Sequence, residues 1–458
     1  MSSKLRVLLA LAVAAVLPAC GNINDGHPAV PFTFRASVST TGAQANQASS
    51  EVCVSGNGQF VVFTSMATTL AQAGPANVSQ VFRRNLQSGV TEMVSVDPVQ
   101  LPGDDSSSHA AISYDGRFVA FESFATNLLS APQFVPHVYL RDMNAVPATA
   151  TTLVSQDSLG NPGDDVSFAA SISMDGRYVA FASLATNFGD THTSGVPKIY
   201  RRDMVLGDVI PISVTAVGGD PTLGATSYGS VNPSISDDGS VIAYVSECAD
   251  IVAGDTNGKL DVFVATVGGG GAITTVLASA AVGGGPSNGH SGDPQKFLFD
   301  SPKISGNGLF VAFTSAATNL VTGDSNTGNF DVFLYSVADG SLQLVDVNTQ
   351  GVQAEASRDS SNPSISSDGR FVAFQSVASN LVDSDTNATT DIFLRDILLG
   401  ITIRVSVDTA GNQAGIGQPS VVPSLSAQAT AVAFATDANF EKSDSNGLRD
   451  VYVRSPLH

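Results

Sequence analysis

Tryptophan is absent from this 458-residue chain, cysteine occurs three times, and basic residues are half as frequent as acidic ones, 21 against 41. Each shortage excludes something. Three cysteines build no disulfide framework. The net charge of −20 becomes −22 once Lys4 and Arg6 leave with the N-terminal leader described below. Such a chain repels nucleic acid and anionic lipid, so neither is expected as a ligand. The apolar run from Val7 to Leu17 is too short to span a bilayer stably. With 43% hydrophobic and 14% charged residues, the rest of the chain has ample core for one large domain.

What is present is a repeat, clearest from Asn362 to Val407. Pro363 to Ser366 reads as a first strand. Ser367-Asp368-Gly369 makes a tight turn, because Asp-Gly readily takes hairpin backbone angles. Arg370 to Ser376 is a second strand, and its run Phe371, Val372, Ala373, Phe374 means that both faces are covered. After a polar loop, Asp391 to Asp396 is a third strand. A turn ending in Gly400 leads to a fourth, Thr402 to Val407. The hairpin signal recurs at Asn57-Gly58, Asp115-Gly116, Asp175-Gly176, Asp238-Gly239 and Asn307-Gly308, with steps of 58, 60, 63, 69 and 61 residues up to Asp368. A worn seventh copy lies at Ser424 to Thr436.

A period of this size with strands inside it indicates a propeller or array. Copies one to six each have a fourth strand; the seventh has none before the chain stops. An orphan strand of the missing type, Phe32 to Ser39, stands before the first copy. The economical arrangement is a closed, all-β, seven-bladed β-propeller of four-stranded antiparallel blades, the last completed by the N-terminal strand, which removes two sheet edges. An open solenoid would need capping repeats, and none is visible.

The motif SxDGRxVAFxS, followed by a strand such as DIFLRD, resembles the WD40-like (PD40) repeats of the TolB type over roughly residues 32–455. The resemblance is specific for fold and does not imply membership of the Tol system. At the N-terminus, Lys4 and Arg6 precede an apolar run, and Leu17-Pro18-Ala19-Cys20 resembles the lipobox of bacterial lipoproteins. The expected organisation is therefore a signal peptide at 1–19, a lipid anchor on Cys20 with a flexible tether over 20–31, and the propeller at 32–458. An ordinary signal peptide cut near Ala19 is the alternative. Gly21, in place of an Asp, favours the outer membrane.

Topology puts the tight first and third turns on one face of the ring and the long polar loops on the other, where binding to a protein or cell-envelope polymer is expected. Asp104-Asp105 and Asp164-Asp165 fall there. The domain is expected to be monomeric and non-enzymatic; an exported glycan lyase or hydrolase is the other reading, since a propeller can bring distant carboxylates together. Absence of tryptophan disfavours quinoprotein-type propellers and sialidase-type Asp-boxes. Gly285-Pro286-Ser287-Asn288-Gly289 matches the G-x-S-x-G pattern but lacks a strand-to-helix context. The histidines read as solvated loop residues, although His109, His137 and His192 fall in copies one to three and could meet at the ring's mouth. Cys53 and Cys248 read as small buried hydrophobes. Asn127, Asn187, Asn319 and Asn380 are expected to satisfy loop backbone, and Asp142, Asp203 and Asp396 to cap turns.

Copies four to seven share a loop before the third strand: Asp255-Thr-Asn257 to Asp261, Asp324-Ser-Asn326 to Asp331, Asp385-Thr-Asn387 to Asp391 and Asp444-Ser-Asn446 to Asp450. Asp followed two residues later by Asn resembles the opening of an oxygen-rich calcium loop, with the second Asp closing the shell. A tight Asx turn capped by that Asp is the alternative. Copies one to three carry Gln80, His137 and Lys198 at the position of the second Asp.

Overall fold

Each blade is built outward from its first turn. In the sixth, the Ser366 hydroxyl donates to Asp368 Oδ1 at 2.6 Å, and the same oxygen accepts from the Arg370 N–H at 3.0 Å. The Phe371 N–H closes the turn on Ser366 Oγ at 3.0 Å. Gly369 supplies the left-handed φ of 78°. The turn also packs between blades. A Cβ on Gly369 would lie 2.2 Å from the Phe310 ring of the blade before, and Gly116, Gly176 and Gly239 meet Phe60, Phe118 and Tyr178 in the same way. Gly369→Ala therefore combines φ strain with overpacking and should cost about 2–4 kcal/mol. Chemical denaturation would read that as a lowered midpoint at unchanged slope.

In this computed structural model, described for residues 31–189, 195–222, 229–292, 301–326, 328–355 and 358–457, the strands form seven four-stranded antiparallel sheets. Blade six comprises Ser360–Ile365, Phe371–Ser376, Asp391–Asp396 and Ile401–Arg404. Blade seven comprises Ser420–Leu425, Val432–Thr436 and Asp450–Ser455, and its fourth strand is the N-terminal Phe32–Arg35. Phe32 stands opposite Ser455 and Arg35 opposite Tyr452. The closed seven-bladed ring expected from the repeat count is the fold.

The core lies between blades. One cluster joins Val61, Phe63 and Phe82 of blade one to Ala433, Val451 and Val453 of blade seven, so closure is by packing as well as by pairing. A buried aromatic pair from the second and third strands recurs, as in Phe374 on Phe393 with centroids 5.8 Å apart.

Three features differ from the sequence reading. The innermost strand of blade six begins at Ser360, before the expected Pro363, and carries a register shift between Ser361 and Ser364 around Asn362, whose φ is 52°. Five other blades place Glu51, His109, Ala169, Asn232 and Val422 at the equivalent bulge, all with positive φ. Second, the links between blades, read from sequence as long polar loops, are regular: five fold into small hairpins bridged by Val38 and Gln44, Val96 and Pro102, Gln156 and Pro162, Val347 and Gln353, and Val407 and Gln413. Third, the arginine before each turn Asp ties blades together. Arg141 donates to the Val96 carbonyl, Arg202 to that of Gln156, and Arg395 to that of Asn348, all in the preceding link. Asp142, Asp203 and Asp396 cap their turns as expected and also hold Arg117, Arg177 and Arg370.

Candidate functional site

The first residue of each third strand is buried at the same depth in every blade. It is Gln80, His137, Lys198, Asp261, Asp331, Asp391 or Asp450 in turn. Beneath it sits a residue from the end of the fourth strand, serine in six blades and Asp346 in blade five. That residue accepts the N–H one position further along, as Ser406 does from Ile392 and Asp346 from Val332.

In blades one to three the buried head group is neutral or basic. Gln80 donates to the Gly103 carbonyl at 2.9 Å, His137 Nδ1 shares a hydrogen bond with Ser155 Oγ at 2.9 Å, and Lys198 pairs with Asp220. Burial pushes the His137 imidazole down to about 4. A group depressed from 6.5 contributes full stability above pH 6.5 and loses it as pH falls toward 4, by up to about 3 kcal/mol. His137→Gln, the residue blade one uses, should flatten the melting temperature between pH 6.5 and 4, whereas the parent protein falls over that interval.

In blades six and seven the head aspartate faces a second aspartate with an arginine between them. Arg404 Nη1 lies 3.2 Å from Asp385 and 3.6 Å from Asp391. Arg35 Nη1 lies 3.1 Å from Asp444 and 3.5 Å from Asp450. Both arginines come from the fourth strand, opposite Phe393 and Tyr452. Asn387 Nδ2 donates to Asp391 at 2.9 Å and Asn446 Nδ2 to the Ala45 carbonyl at 2.9 Å. The calcium pattern in these two loops thus already encloses a resident positive charge.

Blades four and five have the same loop without the arginine. Leu277 and Leu344 stand opposite Phe263 and Phe333, where blades six and seven have Arg404 and Arg35. Asp261 accepts from Asn257 Nδ2 and the Ser279 hydroxyl at 2.7 and 2.6 Å, and from Ser287 at 3.1 Å. Ser287 of the G-x-S-x-G match is thereby a structural hydroxyl. Burial, with the charge of Asp255 added, pushes Asp261 up to about 7. In blade five, burial raises both Asp331 and Asp346, which face each other as a carboxyl pair, with Asp324 adding its charge. Among the described residues, the side chains as they lie form no group of three or more His, Cys, Asp or Glu able to hold a metal ion.

The second cluster lies at the mouth of the central channel on the loop-rich face. His109 Nδ1 is hydrogen-bonded to Glu122 Oε1, and its Nε2 lies 3.8 Å from Glu51. Burial opposes the charge on His109, but the Glu122 bond and both carboxylates together raise its pKa. Each glutamate spends its other oxygen on the next blade's bulge: Glu51 accepts the His109 N–H at 3.0 Å, and Glu122 that of Ala169 at 3.1 Å. Gln375 treats Val422 identically at 2.9 Å. Beside this cluster is a recess of about 280 Å³ walled by Phe124, Pro136, Val166 and Phe168, with His109 and Glu122 at its edge. Phe124 is 53% exposed, and Phe134, in the loop that follows, 86%.

The expectation of solvated loop histidines is corrected for three of them. His109 is on an innermost strand, His137 is buried, and His290 accepts the Leu260 N–H at 3.0 Å. His192 lies outside the described residues, as does Cys20. Asp104 and Asp164 cap Thr126 and Thr186, and the four asparagines hold loop backbone, as Asn127 does through Asp104 N–H and the Pro102 carbonyl. Cys248 is buried and Cys53 half-buried, both as free thiols.

No protein-family model and no curated protein matches the chain. Solved structures similar to it are propellers. The β-propeller domain of the Trilobed protease from Pyrococcus furiosus, whose velcro topology is open, matches at TM-score 0.50 and 10% identity over 90% of this chain and 96% of that one. Oligogalacturonate lyase from Vibrio parahaemolyticus matches at 0.47 and 11% over 93% and 90%. TolB from Acinetobacter baumannii matches at 0.37 and 15%, over 71% of this chain and 59% of TolB. At 10% identity the likeness to the Pyrococcus furiosus domain shows the fold alone, a β-propeller, here with its ring closed by the N-terminal strand.

Proposed function

We propose that the chain is a lipid-anchored cell-envelope propeller that binds a protein or envelope-polymer partner at the channel mouth of its loop-rich face. The observation that carries this is the apolar recess beside His109 and Glu122, walled in part by the exposed ring of Phe124, with the exposed Phe134 two residues ahead of its Pro136 wall. Exposed aromatics around a concave apolar surface with a few convergent polar groups are what recognition sites use. The envelope location rests on the leader and the lipobox-like Leu17 to Cys20. Cys20→Ala should release the protein from membranes into the soluble fraction; unchanged fractionation would require another attachment.

The convergence of His109 with Glu51 and Glu122 favours a second reading, a glycan lyase or hydrolase. Against it, both glutamates are already committed to interblade N–H groups, which makes the trio a brace between blades one, two and three. Affinity purification of the lipidated protein beside a Phe124→Asp/Phe134→Asp variant decides between them. The binding reading expects a partner retained by the parent and lost from the variant. Depolymerisation of a glycan by the parent, abolished by His109→Ala, would support the enzyme instead.

A further inference from the structure

The geometry points to a hard divalent cation, of the calcium class, bound in each of blades four and five, where blades six and seven carry an arginine. The seven blades repeat one buried site with one requirement: a carboxylate at the head of the third strand needs a positive charge beside it. Blades one to three avoid the carboxylate. Blades six and seven meet it with Arg404 and Arg35. Blades four and five keep the aspartates and put Leu277 and Leu344 in the arginine's place, and among the described residues no cation pairs with Asp255, Asp261, Asp324, Asp331 or Asp346.

The oxygens left over are the second observation. Asp255 is 4% exposed, and no side chain donates to either of its carboxylate oxygens, which have the Asn257 backbone N–H beside them. In blade five, Asn326 is 4% and Asp346 0% exposed; Asn326 Oδ1 and Asp324 Oδ2 are unpartnered, and the Asp346 carboxyl has the carboxyl of Asp331 facing it. In blade six, where the arginine is present, no oxygen of Asp385, Asn387 or Asp391 is left in this state. Asp324, Asn326 and Leu344 also line a surface recess of about 720 Å³, which gives an ion a way in.

The donor set is all oxygen, carboxylate and amide with no imidazole or thiolate, which suits calcium rather than zinc. In blade five the ion would draw the Asp324, Asp331 and Asp346 carboxylates together from where they now lie, with the Asn326 amide turned so that Oδ1 faces inward. In blade four, Asp255, Asp261 and Asn257 supply the side chains. Solvent and backbone carbonyls complete a coordination of about six to eight.

The test is calorimetric titration of chelator-treated full-length protein with calcium chloride, repeated with magnesium chloride, and thermal melting in each. Two calcium sites per chain are expected, with a melting temperature about 3–6 °C higher in ~10 mM calcium than in chelator. Leu277→Arg and Leu344→Arg, which install the residue of blades six and seven, should each remove one site, and the pair both. Should either arginine variant fail to fold, Asp255→Asn and Asp324→Asn remove the same sites one at a time. No calcium binding, four sites per chain, or two sites that survive the paired substitutions would overturn the assignment. A magnesium response equal to that of calcium would overturn its calcium class.

Discussion

A chain lacking residues 32–39 does not form a soluble ring. Four consequences of that deletion add up. The third strand of blade seven, Asp450–Ser455, loses its partner from Phe32 to Arg35 and becomes an open edge. Ala36 leaves the cluster that packs blade one on blade seven. Ser37 Oγ, which donates to Asp450 and accepts the Val451 N–H, is gone. Arg35, the only cation ion-paired with Asp444 and Asp450 among the described residues, is gone too. Removing one partner of a buried ion pair alone costs about 3–5 kcal/mol, and total stability is typically about 5–15. Aggregation on size exclusion, or loss of the cooperative melt, is the expected result. A monomer with the parent's melting temperature would mean that the first strand is ornamental.

Arg404→Leu tests the same electrostatic logic without touching the closure. Leucine is what blades four and five carry opposite the third strand, so its shape fits the site. What it removes is the charge between Asp385 and Asp391, both already raised by burial. Loss of about 3–5 kcal/mol is expected in chelator-containing buffer. Arg404→Lys should recover part of that loss, because an ammonium supplies the charge but not the planar fork. A loss below about 1 kcal/mol, the value of a surface pair, would show that the carboxylates do not depend on the guanidinium.

The fold was legible because one local signal, Asp-Gly or Asn-Gly ahead of four apolar residues, recurs at a nearly fixed step, and because the fourth-strand count left Phe32 to Ser39 without a blade. The bulge was not legible. Asn232, Asn362 and His109 are of types enriched at positive φ and hint at it, but Glu51, Ala169 and Val422 do not. The loops at Asp255, Asp324, Asp385 and Asp444 look alike in sequence, and that likeness hid their difference. It lies in the fourth strands: FTFR and ITIR end in arginine where ITTVL and LQL end in leucine. Aligning those strands on their third-strand partners would have found it. The Glu51, His109 and Glu122 cluster had no sequence signal, since its members come from two blades and meet only through ring geometry.

The claim that the loop-rich face is the binding face is tested most directly by photo-crosslinking in the native envelope. A photoreactive side chain would be placed at Phe124 or Phe134, and for comparison at Leu398 or Leu399 in the third turn of blade six on the opposite face, which are also exposed. Discrete adducts from Phe124 and Phe134, with none from Leu398 and Leu399, are the predicted result. Adducts confined to Leu398 and Leu399, or equal from both faces, would contradict it.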